Sequence, residues 1–402
     1  MGIPEYKEEE KMKKRRVVVQ GIHNEDDGDS NEERSWSDLP EELRETIMKY
    51  LYFSYQVRYR LVCKRWCNSM YQVTLKQQPP WMIMFNYKGR SCYTLYDTLN
   101  NKTCTIAHKL EFLQEKSLNI LACKKGWLLL SQCKEEKFSL VLFNPFIKSA
   151  DRVIKLPNLN DPRYGINVAT FSTTPTSSDC VIFTLQVHWN WSKVCYISTC
   201  RVGDEAWITH SFQNPCAIMP YFQRTVKRVG FIPSAVYSEG KFYCQTYCGY
   251  MTVFTVAEQD WKIVYAPLDL KIDSEVYLVK SEEGNILRIE ICRKGLDSEN
   301  LIRCSNCINR LINPFHLLWE RVVDNELSGK VLFLGGCNVS VSISEDDAVA
   351  NRRFGKKRIY ACWGNMTKHF KIGSSDQCQP YFKDHDSLSQ KCGRTIWIEP
   401  PY

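Results

Sequence analysis

The sequence predicts a small helical segment followed by a large all-β domain. Near residues 39–51 apolar residues recur every four positions, and from residue 81 onward short apolar runs alternate with turn residues. Aromatic residues, which favour strands, make up 12% of the chain. A chain of 402 residues is also too long for one core of ordinary size, which favours a large repeat fold or barrel.

Residues 1–34 are predicted to be a disordered charged tail. It carries a basic cluster at Lys11–Arg16, which is either a nuclear import signal or a solvated tail. The first residues are charged and lack the apolar core of a signal peptide, and no stretch approaches the roughly 20 apolar residues of a membrane span. We therefore expect a location in the nucleus and/or the cytoplasm, no membrane contact, and use of the 19 cysteines as small buried apolar residues.

The helical segment is expected at residues 35–71, with a first helix that begins at Pro40. Leu43, Ile47 and Leu51 lie on one face of that helix, and a second apolar set ends at Trp66. Two or three short helices are predicted. A unit of about 40 residues rarely buries enough surface to be stable alone, so its apolar face needs a partner in this chain or in another protein.

This segment resembles an F-box. The matching residues, in order and without gaps, are Leu39, Pro40, Leu43, Ile47, Leu51, Arg60, Val62, Cys63, Lys64 and Trp66. Tyr55 and Gln56 depart from the pattern, which often has an acidic residue and a leucine there. The resemblance implies binding to the Skp-type adaptor of a cullin-based ubiquitin ligase, through Leu39, Pro40, Leu43, Ile47, Leu51, Val62, Cys63, Lys64 and Trp66.

After a linker at residues 72–80, the all-β domain is expected to fill residues 81–402. Its clearest unit runs from Pro233 to Val264, where four short strands are joined by tight turns, as in one blade of a β-propeller. At 40–50 residues per repeat, the roughly 320 residues allow six to eight blades. A sandwich or a two-domain β arrangement is the alternative. We also predict that Thr395–Glu399 closes the ring beside Trp81–Tyr87.

The β domain resembles the C-terminal domain of KIB-type plant F-box proteins. The similar pieces, in matching order, are Gly126–Leu129, Leu142–Phe146, Lys155–Pro157, Ala235–Tyr237, Gly240–Tyr243, Leu334–Gly336 and Arg358–Tyr360. The resemblance implies a propeller-like domain that recognises a target protein.

No catalytic constellation is apparent, and we predict no cofactor and no metal. None of the 7 histidines lies in a nucleophile, zinc-protease or phosphate-loop motif, and Gly335-Gly336 lacks the phosphate-loop lysine. Cys304 and Cys307 have zinc-ligand spacing but no second close pair, so a loop with incidental cysteines is expected. A second basic cluster at Arg352–Arg358 suits an acidic or phosphorylated ligand, an import signal or a solvated loop.

These observations predict a non-catalytic substrate-recognition subunit of a ubiquitin ligase. Two alternatives stay open. The first is an F-box scaffold without a role in degradation, suggested by Tyr55 and Gln56. The second is a basic nuclear protein that binds nucleic acid, although a net charge of +8 over this length is mild for such a protein.

Overall fold

The computed structural model describes the helical segment and the sheets. The described residues are 36–51, 55, 59, 62–67, 79–85, 92–107, 110–114, 118–134, 137–147, 150–159, 165–187, 193–214, 234–245, 251–264, 274–281, 284–296, 302–313, 318–322, 331–335, 339–343, 358–363, 366–371, 379–380 and 394–399.

The helical segment contains a 3-10 turn and two α-helices within its described residues. The turn is Trp36–Asp38, and the helices are α1 (Glu41–Tyr50) and α2 (Lys64–Cys67). Tyr55 and Tyr59 are also helical. The predicted start at Pro40 is one residue early. Pro40 caps α1 in an extended conformation (φ −51°, ψ 148°), and its carbonyl accepts the N–H of Arg44 at 3.1 Å.

The all-β domain begins at Trp81. Its first eleven strands are β1 (Trp81–Phe85), β2 (Cys92–Asp97), β3 (Lys102–Ala107), β4 (Asn119–Lys124), β5 (Trp127–Lys134), β6 (Lys137–Phe143), β7 (Val153–Lys155), β8 (Ile166–Phe171), β9 (Val181–Val187), β10 (Val194–Arg201) and β11 (Ile208–Gln213). Short 3-10 turns lie at Glu111–Gln114 and Ala150–Arg152.

The remaining strands continue the same pattern of short antiparallel segments. They are β12 (Ser234–Ser238), β13 (Lys241–Gln245), β14 (Met251–Thr255), β15 (Asp260–Val264), β16 (Ser274–Lys280), β17 (Ile286–Leu296), β18 (Ile302–Asn313), β19 (Leu318–Arg321), β20 (Val331–Gly335), β21 (Val339–Ile343), β22 (Arg358–Trp363), β23 (Met366–Lys371), β24 (Gln379–Pro380) and β25 (Arg394–Ile398).

These strands form six sheets within the described residues, and each sheet is one propeller blade. Their strand orders are β25-β1-β2-β3 (blade 1), β4 to β7 (blade 2), β8 to β11 (blade 3), β12 to β15 (blade 4), β16 to β19 (blade 5) and β21-β20-β22-β23-β24 (blade 6). The predicted four-stranded unit is blade 4. In it, Phe242 of β13 lies opposite Tyr237 of β12 on one side and opposite Phe254 of β14 on the other. The all-β class is confirmed, and six blades lie within the predicted range.

One strand of each blade lies next to the corresponding strands of the two neighbouring blades. Around the ring these inner strands follow the order β25, β4, β8, β12, β16 and β21, and β21 again lies beside β25. The sheets are therefore arranged around a common axis.

The ring is closed by the C-terminal strand. β25 is the inner strand of blade 1 and pairs antiparallel with β1, so that Trp81 lies opposite Ile398 and Phe85 opposite Arg394. The predicted closure is therefore confirmed. The buried ring of Trp397 packs edge-on against Phe333 of β20, with 5.1 Å between ring centroids, and so joins blade 1 to blade 6.

Blade 6 departs from the regular strand order. Its chain enters through β20, which is second in the sheet, and then forms the inner strand β21. It returns as β22 on the other side of β20, parallel to it, with Val331 opposite Arg358. Every residue of β20 is buried, because strands flank it on both edges and neighbouring blades cover its faces.

The C-terminal ends of neighbouring inner strands meet at one end of the propeller. Lys124 Nζ, at the end of β4, donates to the carbonyls of Phe171 (2.7 Å) and Ser172 (3.1 Å) in blade 3. Burial lowers the pKa of Lys124 to about 8, although the nearby Glu399 carboxylate opposes this shift. Lys280 Nζ, at the end of β16, reaches the carbonyl of Tyr237 in blade 4 at 3.4 Å. Side chains at this end therefore bridge adjacent blades.

Several cysteines of the blades are buried apolar residues, as expected, whereas Cys92 is partly buried and Cys104 is exposed. The buried examples are Cys123, Cys180, Cys195, Cys200 and Cys244. Burial raises the pKa of each of these thiols, to about 12 for Cys195 and about 11 for Cys200. The loop expected around Cys304 and Cys307 is wrong, because both lie within strand β18, opposite Arg293 and Glu290 of β17. The backbone of both cysteines is therefore part of a paired strand rather than of a loop.

Candidate adaptor-binding surface

The helical segment has a small core of its own. Met48, Tyr59 and Trp66 are buried, with 1%, 5% and 8% of their surfaces exposed. The Tyr59 and Trp66 rings stack at a centroid distance of 4.2 Å, and the Tyr59 hydroxyl donates to the carbonyl of Arg44 at 3.2 Å. Burial raises the pKa of Tyr59, against the opposing charge of Arg44. These contacts join α1 to the residues around α2.

The residues predicted to bind an adaptor occupy three depths in this segment. Trp66 lies inside the core. Partly buried side chains pack against that core, namely those of Leu39, Ile47, Leu51 and Cys63. The exposed members are Pro40, Leu43, Val62 and Lys64. The structure therefore brings the inner and middle groups together and leaves the last group facing outward.

Four large apolar side chains form what we call the outer apolar set: Trp36, Leu43, Tyr50 and Val62. Their exposed fractions are 75%, 52%, 73% and 59%. Leu43 and Tyr50 lie two helical turns apart and share one face of α1. Glu41, Glu42 and Lys64 are exposed on the same short elements. Apolar side chains exposed on so small a unit, beside charged neighbours, are the composition of a protein-binding surface.

Four of these residues were missed by sequence reasoning. Met48 and Tyr59 complete the core, and Trp36 and Tyr50 belong to the outer apolar set. The spacing of three between the apolar residues Met48 and Leu51 was the available signal that Met48 also faces the core. The sequence around Trp36 gives no signal that this tryptophan, which precedes α1, is exposed.

Tyr55, one of the two departures from the F-box pattern, contacts the propeller. Its hydroxyl donates to Oδ1 of Asn100 at 2.8 Å, in the turn between β2 and β3. The carbonyl of Pro80 accepts the Thr98 hydroxyl in the same turn at 2.7 Å. Gln56, the other departure, lies outside the described residues, as do the charged tail at 1–34 and the basic cluster at 352–357.

Within the described residues, no three His, Cys, Asp or Glu side chains are grouped closely enough to hold a metal ion. No described helix combines the length and the apolar character needed to cross a membrane.

Comparisons with known proteins agree with this architecture. A model of the F-box domain matches residues 36–77, and a model described as the KIB1-4 beta-propeller matches residues 70–386. The closing strand β25 lies beyond the second match.

Relatives in Arabidopsis thaliana share both parts. An F-box/kelch-repeat protein is 29% identical over 377 residues, which cover 91% of this chain and 95% of the relative. Two F-box proteins are 25% identical over 380 residues (90% and 72% covered) and 26% identical over 373 residues (91% and 87% covered). Since the propeller model spans well over half of the sequence and the F-box model precedes it, the chain belongs to the KIB1-4 beta-propeller family of F-box proteins.

Proposed function

We propose that this chain is the substrate-recognition subunit of an Skp–cullin–F-box ubiquitin ligase. The observation that carries the proposal is the outer apolar set on a segment that matches the F-box domain. The F-box and the propeller together, and relatives that are F-box proteins, support the general role of a substrate adaptor.

In this proposal the F-box binds the Skp-type adaptor, and through it a cullin, while the propeller binds a target protein. Leu43 and Val62 contact the adaptor directly. Trp66 shapes the surface from below, because it is buried against Tyr59. Exposed Glu41, Glu42 and Lys64 lie at the polar rim, where charges affect specificity and association rate more than affinity.

The chain contributes proximity and no catalytic group. A ubiquitin-conjugating enzyme supplies the thioester, and the assembly holds the target beside it. Holding two reactants in one complex raises their effective concentration. The proposed subunit acts in the nucleus, in the cytoplasm or in both.

A binding assay with purified Skp-type adaptor tests the proposal. We compare the native chain with the double variant Leu43→Ala, Val62→Ala. Truncation of two central interface side chains is expected to weaken binding by roughly tenfold or more. The matched control is Ile208→Ala, Ile312→Ala, which truncates two apolar side chains that are 54% and 52% exposed on the propeller. Failure of the native chain to bind, or equal binding by all three proteins, would contradict the proposal.

A scaffold without a role in degradation is the second candidate, motivated by Tyr55 at a position that is often acidic in F-boxes. Both candidates bind the adaptor, so the half-life of a captured target separates them. Depletion of the protein lengthens that half-life if the ligase proposal holds and leaves it unchanged for a scaffold.

A further inference from the structure

The turn between β2 and β3 is held together by hydrogen bonds to the carboxylate of Asp97. Asp97, which is 6% exposed, accepts the backbone N–H groups of Leu99 (3.0 Å) and Asn100 (3.1 Å) through Oδ1. Its Oδ2 accepts Nδ2 of Asn100 at 2.7 Å. The side-chain amide of Asn100 is therefore held in one orientation, with its Oδ1 left to accept a further hydrogen bond.

Two separate parts of the preceding chain contact this turn. The Tyr55 hydroxyl donates to Oδ1 of Asn100 at 2.8 Å. The fully buried Thr98 donates to the carbonyl of Pro80 at 2.7 Å. The chain thus touches the same turn at Tyr55, before the end of the helical segment, and again at Pro80, where it enters β1.

Tyr55 lies close in sequence to the core of the helical segment. Tyr55 and Tyr59 are both helical and are four residues apart in the sequence, and Tyr59 stacks on Trp66. On the other side, Asn100 joins the hydroxyl of Tyr55 to Asp97 at the end of strand β2. Strand β2, which ends at Asp97, pairs with β1, and β1 pairs with the closing strand β25.

We infer that the β2–β3 turn is the interaction surface that mounts the F-box on the propeller, and that closure of the ring by β25 therefore stabilises the F-box. A helical unit of about 40 residues with so small a core needs support from outside. Blade 1 supplies this support through Asn100, which accepts the hydrogen bond of Tyr55. Blade 1 is also the blade that combines strands from the two ends of the domain. The inference concerns a contact within this chain, so it does not depend on the proposed binding of an adaptor.

Amide hydrogen exchange measured by mass spectrometry on the full chain tests whether the β2–β3 turn supports the F-box. In Tyr55→Phe only the bonded hydroxyl is lost, and peptides from α1 are expected to exchange about fivefold faster, the change that corresponds to one net hydrogen bond. Tyr50→Phe is the matched control, because it removes a hydroxyl from a tyrosine of the same segment that is 73% exposed. Exchange in α1 is expected to change less than twofold there.

Three results would overturn the inference. The first is unchanged amide exchange of α1 peptides in Tyr55→Phe, and the second is an equally large increase in Tyr55→Phe and Tyr50→Phe. The third is an increase in Tyr55→Phe that is as large in peptides from every blade as in α1. Binding to the purified adaptor is measured in parallel and is expected to be unchanged in Tyr55→Phe. A failure of the mount and a failure of adaptor binding are therefore distinguishable.

A second pair of variants tests the dependence on ring closure. Ile396→Val removes one buried methyl group from β25, and Ile182→Val removes one from β9 of blade 3. We expect α1 peptides to exchange at least threefold faster in Ile396→Val than in Ile182→Val, since only β25 belongs to the blade that supports the F-box. Equal α1 exchange in the two variants would refute the coupling between ring closure and the F-box.

Discussion

The backbone N–H of Lys125 donates to the carboxylate of Glu399 at 2.5 Å, although 274 residues separate the two in sequence. Glu399 directly follows the closing strand, and Lys125 begins the turn after the inner strand of blade 2. Burial raises the pKa of Glu399, whereas the Lys125 N–H and the charges of Lys124 and Lys125 oppose that shift. This bond joins the closing strand to the next blade along the ring.

Loss of the Trp397 ring is expected to destabilise the whole propeller. Trp397 is fully buried and packs on Phe333 across the boundary between blades 1 and 6. Trp397→Ala should lower the free energy of unfolding by about 3–5 kcal/mol, as measured by urea denaturation. Trp36→Ala, the same change at a 75% exposed tryptophan, should cost less than about 0.5 kcal/mol. Similar losses in the two variants would argue against a central role for β25.

The stability of the native chain should depend on the protonation of Lys124 at alkaline pH. Its pKa falls from 10.5 to about 8 on folding, because burial disfavours the charged amine. Between these values the unfolded chain binds the proton and the folded chain does not, so this group makes stability rise with pH. The predicted gain is on the order of 1–3 kcal/mol across that window.

Denaturation midpoints measured from pH 7.5 to 10.5 for the native chain and Lys124→Met test this dependence. The native protein should gain stability relative to the variant as pH rises. Lys125→Met, which removes a charge from the exposed neighbour in the same turn, is the control. Parallel curves for the native chain and Lys124→Met would contradict the prediction.

The buried and exposed members of the predicted adaptor-binding residues should fail in different ways. Trp66→Ala removes the stacking partner of Tyr59 and should unfold the helical segment locally, which lowers helical circular dichroism and adaptor binding together. Leu43→Ala should lower binding and leave the helix signal intact, because Leu43 is 52% exposed. Trp66→Phe retains an aromatic partner and should recover most of the helix signal. If Trp66→Ala leaves the helix signal at the native level, the described core of the F-box is wrong.

Thiol reactivity should separate Cys104 from Cys195. Cys104 is exposed on the outer strand β3, whereas burial raises the pKa of Cys195 to about 12. In the native protein at pH 7.5 we expect a maleimide to label Cys104 at least about 100-fold faster, since the thiolate is the reactive form and Cys195 needs an opening of blade 3 to be reached. Peptide mass spectrometry of timed samples measures both sites. Comparable rates would show that blade 3 opens readily.

Local patterns were sufficient to predict the blades but not the way in which they are arranged. The four strands of blade 4 followed from alternating apolar runs and turn residues such as Glu239-Gly240, where both residues adopt a positive φ (50° and 75°). The parallel pairing of β20 with β22 could not be predicted, because long-range packing decides which strands become neighbours. The alternation of apolar and polar residues in a strand is the same whichever strand it pairs with.

The F-box shows the same division. The spacing of Leu43, Ile47 and Leu51 correctly predicted a helix, and its start was wrong by a single residue. That Trp66 lies inside and Val62 outside depends on how the short helices cross, which spacing alone does not determine. The contact of Tyr55 with Asn100 joins residues from two folding units and leaves no local signal.

The position of the closing strand also has a genetic consequence. Synthesis completes the F-box early, whereas β25, from Arg394, emerges only after some 300 further residues, about 15–60 s later at typical elongation rates. A premature stop codon between these points would yield a chain that keeps the outer apolar set and has an open ring. Because the open ring no longer supports the F-box, such a chain should lose adaptor binding together with its closed propeller, and the allele should behave as a recessive loss of function rather than as a competitor of the intact protein.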